Sequence, residues 1–180
     1  MAARATMAEL IGRLRALIGD PAGAGQAFDD QTLQDYLDRR QTVVRYAPLR
    51  AESSPRPGGA VDYLDYYADV GDWEADETLY DGSYSILIPA SADRLTGHWT
   101  FVSSQPPPVM IVGKSYDVYG SAADVLEAWA ATEKLNFDFE ADGQSFRRSQ
   151  KVTALLALAR EYRHRQQPVS VRMVRTDADR

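Results

Sequence analysis

At 180 residues the chain is long enough to bury a real core and fits one domain, or one domain with a sizeable insertion. It has no cysteine and only two histidines, which excludes a disulfide framework, thiol chemistry and Cys-ligated zinc, and leaves His-rich zinc and iron sites almost without ligands. The formal net charge of -6 conceals an asymmetry: residues 146–180 hold nine Lys or Arg against three Asp or Glu, while residues 1–145 hold eleven against twenty-three. The two ends are opposite in charge, which favours head-to-tail contacts between copies or with a charged partner.

Met7, Leu10, Ile11, Leu14, Leu17 and Ile18 recur at helical spacing, and Gly19-Asp20-Pro21 ends the helix they predict. These residues form no unbroken apolar run of the kind a leader needs, and no later stretch approaches a membrane span, so the expectation is a soluble, unsecreted protein. After a Gly/Ala turn, Asp29 and Asp30 supply N-cap candidates for a short second helix marked by Leu33, Tyr36 and Leu37. Arg39 and Arg40 sit at its C-terminal end, where the dipole favours cations.

From Thr42 the period changes. Val43, Val44, Tyr46 and Leu49 suggest a strand, residues 53–59 read as a flexible turn, and Val61 to Tyr67 can continue as strand. Further strands are expected over Tyr84–Ile88, Trp99–Ser103 and Val109–Val112. The helical period returns with Val118, Ala122, Val125, Leu126, Trp129 and Ala130, predicting a helix over Ser121–Lys134, and again over Val152–Arg165. The apolar faces of these two are complementary, so they should pack as a hairpin. Pro168 ends the last helix, and Val169 to Arg175 alternates as a short strand or extended arm.

The expected fold is therefore α+β: mainly an α-helical bundle of four helices in two pairs, with an inserted antiparallel β-hairpin or small sheet. The expected divisions are 1–41 for the first helical pair, 42–113 for the insertion, 114–167 for the helical hairpin and 168–180 for the arm, within one structural domain.

No enzyme signature emerges. Asp138-Phe-Glu-Ala-Asp-Gly143 has the opening of a calcium loop, but Ser149 stands where the closing bidentate Glu belongs, and Asp142-Gly143 reads as a turn. Asp72-Trp-Glu-Ala-Asp-Glu77 could supply paired carboxylates for glycoside hydrolysis, though nothing in the sequence fixes their separation; a solvent-facing acidic loop is the preferred reading. His98 falls in an expected hairpin and His164 in a cationic helix end, and there is no nucleophile elbow and no phosphate-binding Gly loop. Arg147, Arg148, Lys151 and Arg163 could meet nucleic acid or a protein, and the acidity of the rest favours the protein. Tyr63, Tyr66, Tyr67, Trp73, Tyr80 and Tyr84 form an aromatic, acidic stretch suited either to an interface or to core packing.

Four segments taken in order carry a resemblance: Leu10 to Pro21, Phe28 to Leu37, Tyr116 to Ala130 and Ser145 to Ala159. Together they resemble the head-tail connector (adaptor) proteins of tailed bacteriophages, over about half of the chain and without a catalytic motif. The resemblance implies a non-enzymatic virion protein without a cofactor, made in the bacterial cytoplasm of the host. It further implies a homo-oligomeric ring, commonly of twelve subunits, lying beneath a portal protein and above a tail or stopper protein. DNA passes through its lumen without sequence-specific binding, in a phage or in a gene transfer agent. By the same resemblance Val169, Val171, Arg172, Met173, Val174 and Arg175 are candidates for docking on the portal. Arg147, Arg148, Lys151 and Arg163 on one side, with Asp72, Glu74, Asp76 and Glu77 on the other, are candidates for contacts between subunits. Residues 42–113 depart from the compact members of that family. The competing expectation is a small ligand-binding or carbohydrate-active domain that uses this acidic Tyr/Trp-rich insertion.

Overall fold

The computed structural model describes residues 2–135, 139–141, 144–146 and 148–166. A short 3-10 turn, Ala5–Met7, leads into α1 (Ala8–Ile18), which Gly19 closes in the left-handed conformation with its N–H on the Arg15 carbonyl. In α2 (Asp30–Asp38) the Asp29 side chain caps the first turn by accepting from Thr32 N at 2.7 Å. Strands β1 (Gln41–Pro48), β2 (Arg50–Pro55), β3 (Val61–Tyr67), β4 (Thr78–Tyr80), β5 (Ile86–Leu87), β6 (Ser91–Asp93), β7 (His98–Thr100) and β8 (Met110–Tyr116) follow without an intervening helix. The chain then enters α3 (Val118–Lys134), passes through the short pair β9 (Phe139–Ala141) and β10 (Gln144–Phe146), and returns along α4 (Arg148–Arg165).

The eight central strands form two four-stranded antiparallel sheets, ordered β1-β8-β4-β5 and β2-β3-β7-β6. This corrects the expected fold. At 38% helix and 26% strand the protein is a mixed α+β molecule, too rich in sheet to be a helical bundle with an inserted hairpin or small sheet. The physical reason lies in the registers. In the first sheet Ala47, Ile111, Leu79 and Leu87 form one inward ladder, and in the second Ala51, Tyr66, Trp99 and Ala92 form another. The two ladders belong to one buried cluster that also takes in Leu49, Trp73, Phe101 and Val109, so the sheets close on each other as a sandwich with its own core. Strands of two or three residues carry too few apolar positions to show a period, and so β4 and β6 escape the pattern.

A second core is helical. Met7, Leu10, Leu14, Leu33 and Leu37 from α1 and α2 meet Val118, Ala122, Val125 and Leu126 of α3 and Ala159 and Tyr162 of α4. The antiparallel α3–α4 hairpin is tied at one end by Lys151 to Glu133 (2.7 Å) and at the other by Arg163 to Asp124 (2.6 Å) and Glu127 (2.8 Å). α3 begins three residues before the expected start because β8 runs directly into it, with Asp117 as cap accepting from Gly120 N at 2.9 Å.

Candidate functional site

Glu74 sits where the helical layer meets the sandwich. Its carboxylate, 1% exposed, accepts from Thr6 Oγ1 (2.6 Å), the Tyr116 hydroxyl (2.6 Å), Arg4 Nε (2.9 Å) and Lys114 Nζ (3.1 Å). Arg4 also holds Asp38 of α2 in a two-pronged pair of 2.7 and 2.9 Å, so a single cluster staples the N-terminus, α2, the loop before β4 and β8. Burial alone would raise the acid's pKa, but the four donors outweigh it and hold Glu74 at about 2. Tyr116 is shifted the other way, above the usual phenol range, by burial and by the carboxylate it faces.

Asp72 is the contrasting neighbour. It has φ of 58°, receives Arg13 Nη1 of α1 at 2.5 Å, and is pushed up to about 6 by burial, with Arg13 pulling in the opposite direction. The acidic run therefore does not face solvent as a whole, and the preferred reading of a solvated loop gives way to a set of internal ties. Glu77 is enclosed as well, accepting from Arg94 Nε (2.8 Å) and Trp99 Nε1 (3.2 Å), while Asp76 is part-exposed and pairs with Lys114 at 3.0 Å. Of the basic candidates, Arg163 is spent on Asp124 and Glu127, and Lys151 on Glu133 and the Trp129 ring. Arg148 opens α4, and Arg147, the calcium-like loop's Asp138, Asp142 and Gly143, and the arm over 169–175 lie outside the described residues.

The outer faces of the sandwich differ in kind. On the second sheet the ladders read Arg50–Tyr67–His98–Asp93 and Glu52–Asp65–Thr100–Ser91. They are knitted together. His98 Nε2 and Thr100 Oγ1 both lie 2.8 Å from Asp65 Oδ1, Tyr67 stacks on His98 with ring centroids 4.4 Å apart, and its hydroxyl donates to Glu52 at 2.9 Å. His98 and Thr100 share one carboxylate oxygen instead of forming a relay, so the trio does not have the order of a nucleophilic triad.

On the first sheet the outward ladder reads Pro48–Met110–Tyr80–Ile86. Tyr46 lies in the β1 bulge with φ of 50°, and Tyr84 lies in the β4–β5 turn with φ of 64°. Asp81 builds that turn by accepting from Ser83 N and Ser85 N at 2.8 Å each. The Tyr46 ring packs 5.4 Å from both Tyr80 and Tyr84, with Tyr84 64% exposed and Ile86 66%. Left-handed backbone at bulky residues costs about 1–3 kcal/mol each and gathers at working surfaces. Tyr80 and Tyr84 stand in the aromatic stretch visible in the sequence, whereas nothing local marks Tyr46 and Ile86 as their companions, because register alone decides which strand residues turn outward. Among the described residues no group of His, Asp and Glu could hold a metal ion, and no helix is long and apolar enough to cross a membrane.

No family model, no curated protein and no solved structure matches this chain.

Proposed function

We propose that this chain is a structural adaptor subunit, one copy of a ring that joins a portal to a tail or stopper in a phage or phage-derived particle. The observation that carries the reading is the division of the sandwich surface. The charged face of the second sheet satisfies itself, whereas the Tyr46–Tyr80–Tyr84–Ile86 face of the first is apolar, aromatic and open. Such a face gains most when a partner removes it from water, and aromatic side chains of this kind dominate interface energetics. In a ring every subunit must offer a neighbour an adhesive patch, and this face is assigned to the next copy. The resemblance of both helical ends to head-tail adaptors supplies the portal, the twelve-fold ring, the DNA-conducting lumen and the virion setting, with residues 169–175 reaching the portal.

The internal use of acidic residues also favours assembly over hydrolysis. A retaining or inverting glycosidase needs two carboxylates facing a substrate. Glu74 instead faces four donors of its own chain, and Asp72 faces Arg13. The test is the mass of the purified protein by light scattering, alone and mixed with the portal encoded beside it. A ring-sized species or a stable portal complex is expected, and Ile86→Ser should reduce it. A monomer indifferent to the portal at all concentrations would overturn the proposal.

A further inference from the structure

Two adjoining depressions, of about 290 and 490 Å³, run along the outer side of α1 and share Gly12, Arg15 and Ala22. Ala8 and Ile11 line the first and Ala16 and Pro21 the second, so the joined groove is mainly apolar. Arg15 adds no free charge to it, because its guanidinium is held by Asp20, Asp30 and the Phe28 carbonyl. The described lining residues all fall within 3–30, and none of them comes from the sandwich.

Gly12 stands in the middle of α1 at an exposed position, where glycine weakens a helix relative to alanine. A Cβ built there would meet no atom within 4 Å, so nothing described in its own chain requires the missing side chain. What glycine offers at such a place is close approach to the helix backbone from outside.

The same molecule carries the matching relief. Tyr84 and Ile86 stand out from the first sheet, 64% and 66% exposed, with Tyr84 packed on the Tyr46 ring. The charges around the two surfaces are opposed. Glu9 lies one turn before Gly12 on the same stripe of α1, and Asp30, its side chain 58% exposed, borders the groove. Arg45 is exposed next to Tyr46, and neither it nor Glu9 has a side-chain hydrogen bond or ion pair among the described residues. Asp81, in the same turn as Tyr84, is turned into its own loop by Ser83 N and Ser85 N.

We infer that the α1 groove receives the Tyr84–Ile86 corner of the next copy of this chain, with that copy's Arg45 set against Glu9. This rests on the ring reading given above and names the second surface a ring needs. A knob and a hole at different places on one chain make a heterologous contact, which passes from copy to copy and builds a ring when its rotation closes. Pairing two tyrosine faces with each other would stop at two copies and would leave the groove unfilled.

The absence of cysteine allows a direct test by cross-linking. Ser85→Cys, beside the knob, and Ala16→Cys, in the groove, are made as separate full-length variants at exposed positions and treated with a short bismaleimide, alone and as an equal mixture. Cross-linked dimer in the mixture is expected at least tenfold above that in either variant alone. Gly12→Leu should weaken association at least tenfold in sedimentation equilibrium without lowering the urea midpoint of the chain. Arg45→Glu should weaken it as well, and adding Glu9→Arg to the same chain should restore it. Cross-linking of Ser85→Cys alone to the level of the mixture would overturn the inference in favour of paired tyrosine faces. Association without a mixed cross-link would overturn it too, while leaving the adaptor reading in place. A protein that stays monomeric at every concentration and ignores the portal would overturn that reading itself, and the groove assignment with it.

Discussion

Glu74 and Tyr116, forty-two positions apart, share a buried hydrogen bond of 2.6 Å across the junction of the helical layer and the sandwich. The phenol comes from the last residue of β8 and the carboxylate from the loop before β4, so the bond fixes the strand that feeds α3 against the chain entering the first sheet. Replacing Glu74 by Ala leaves Tyr116 with an unmatched hydroxyl and Arg4 and Lys114 without their common partner. The two cations are part-exposed and can turn to water, which limits the loss. A cost of about 3 kcal/mol is expected, read by urea denaturation as a lower midpoint with unchanged slope. A change below 0.5 kcal/mol, taken as roughly the limit for a surface substitution, would refute the role given to the cluster.

The two junction acids act oppositely on pH-dependent stability. Glu74 is held at about 2, below its ordinary 4.5, so it contributes stability at neutral pH that is lost as pH falls from about 4.5 toward 2. Asp72 is raised from 3.8 to about 6, so its contribution is fully present only below 3.8 and is lost as pH rises through 6. Relative to Asp72→Asn, the wild type should gain stability between pH 7 and pH 4.5, and relative to Glu74→Gln it should lose stability below pH 4.5. Denaturant titrations across this range check both signs.

Asp124 receives Arg40 from the α2–β1 junction and Arg163 from α4, which together outweigh its burial and hold its carboxyl below the usual range. Asp124→Ala should cost about 1–2 kcal/mol, discounted for partial exposure, and should loosen both ends of the clasp at once. Double-mutant cycles with Arg40→Ala and Arg163→Ala are expected to show coupling of each arginine to Asp124. Additive losses would show that the arginines act independently of it.

Tyr84→Ala and Ile86→Ser touch side chains that are 64% and 66% exposed. Loss of the Tyr46–Tyr84 contact should change the stability of the isolated chain by less than about 1 kcal/mol. Association between copies should fall at least tenfold, measured by sedimentation equilibrium in the analytical ultracentrifuge. Unchanged association in the double variant would remove this face from the proposed interface.

The helices could be read from the sequence because their signals are local. Met7 to Ile18 repeat at 3.6-residue spacing and Gly19 stops them; Asp29 caps α2, and the apolar positions of α3 and α4 face each other as expected. The change of period at Thr42 also announced the strands. Their number and partnership were another matter. β1 finds β8 some seventy residues later, β2 is a polar run ending in Pro55, and β4 and β6 have three residues each, so no window of sequence contains the pairing that makes them strands.

The charge pattern was visible without its consequence. Eight carboxylates with no Lys or Arg among them over residues 62–81 suggest a solvated loop, yet Arg4, Arg13, Arg94 and Lys114 reach Asp72, Glu74, Asp76 and Glu77 from distant parts of the chain. Spacing along the chain set the helices, the breaks and the total charge, because those depend on neighbours within a few residues. Which acids became buried ties, and which tyrosines were left on an open face, depended on strand register and on long-range ion pairs. Only the closing of one sheet over the other, with the helices laid against its end, brought those partners together.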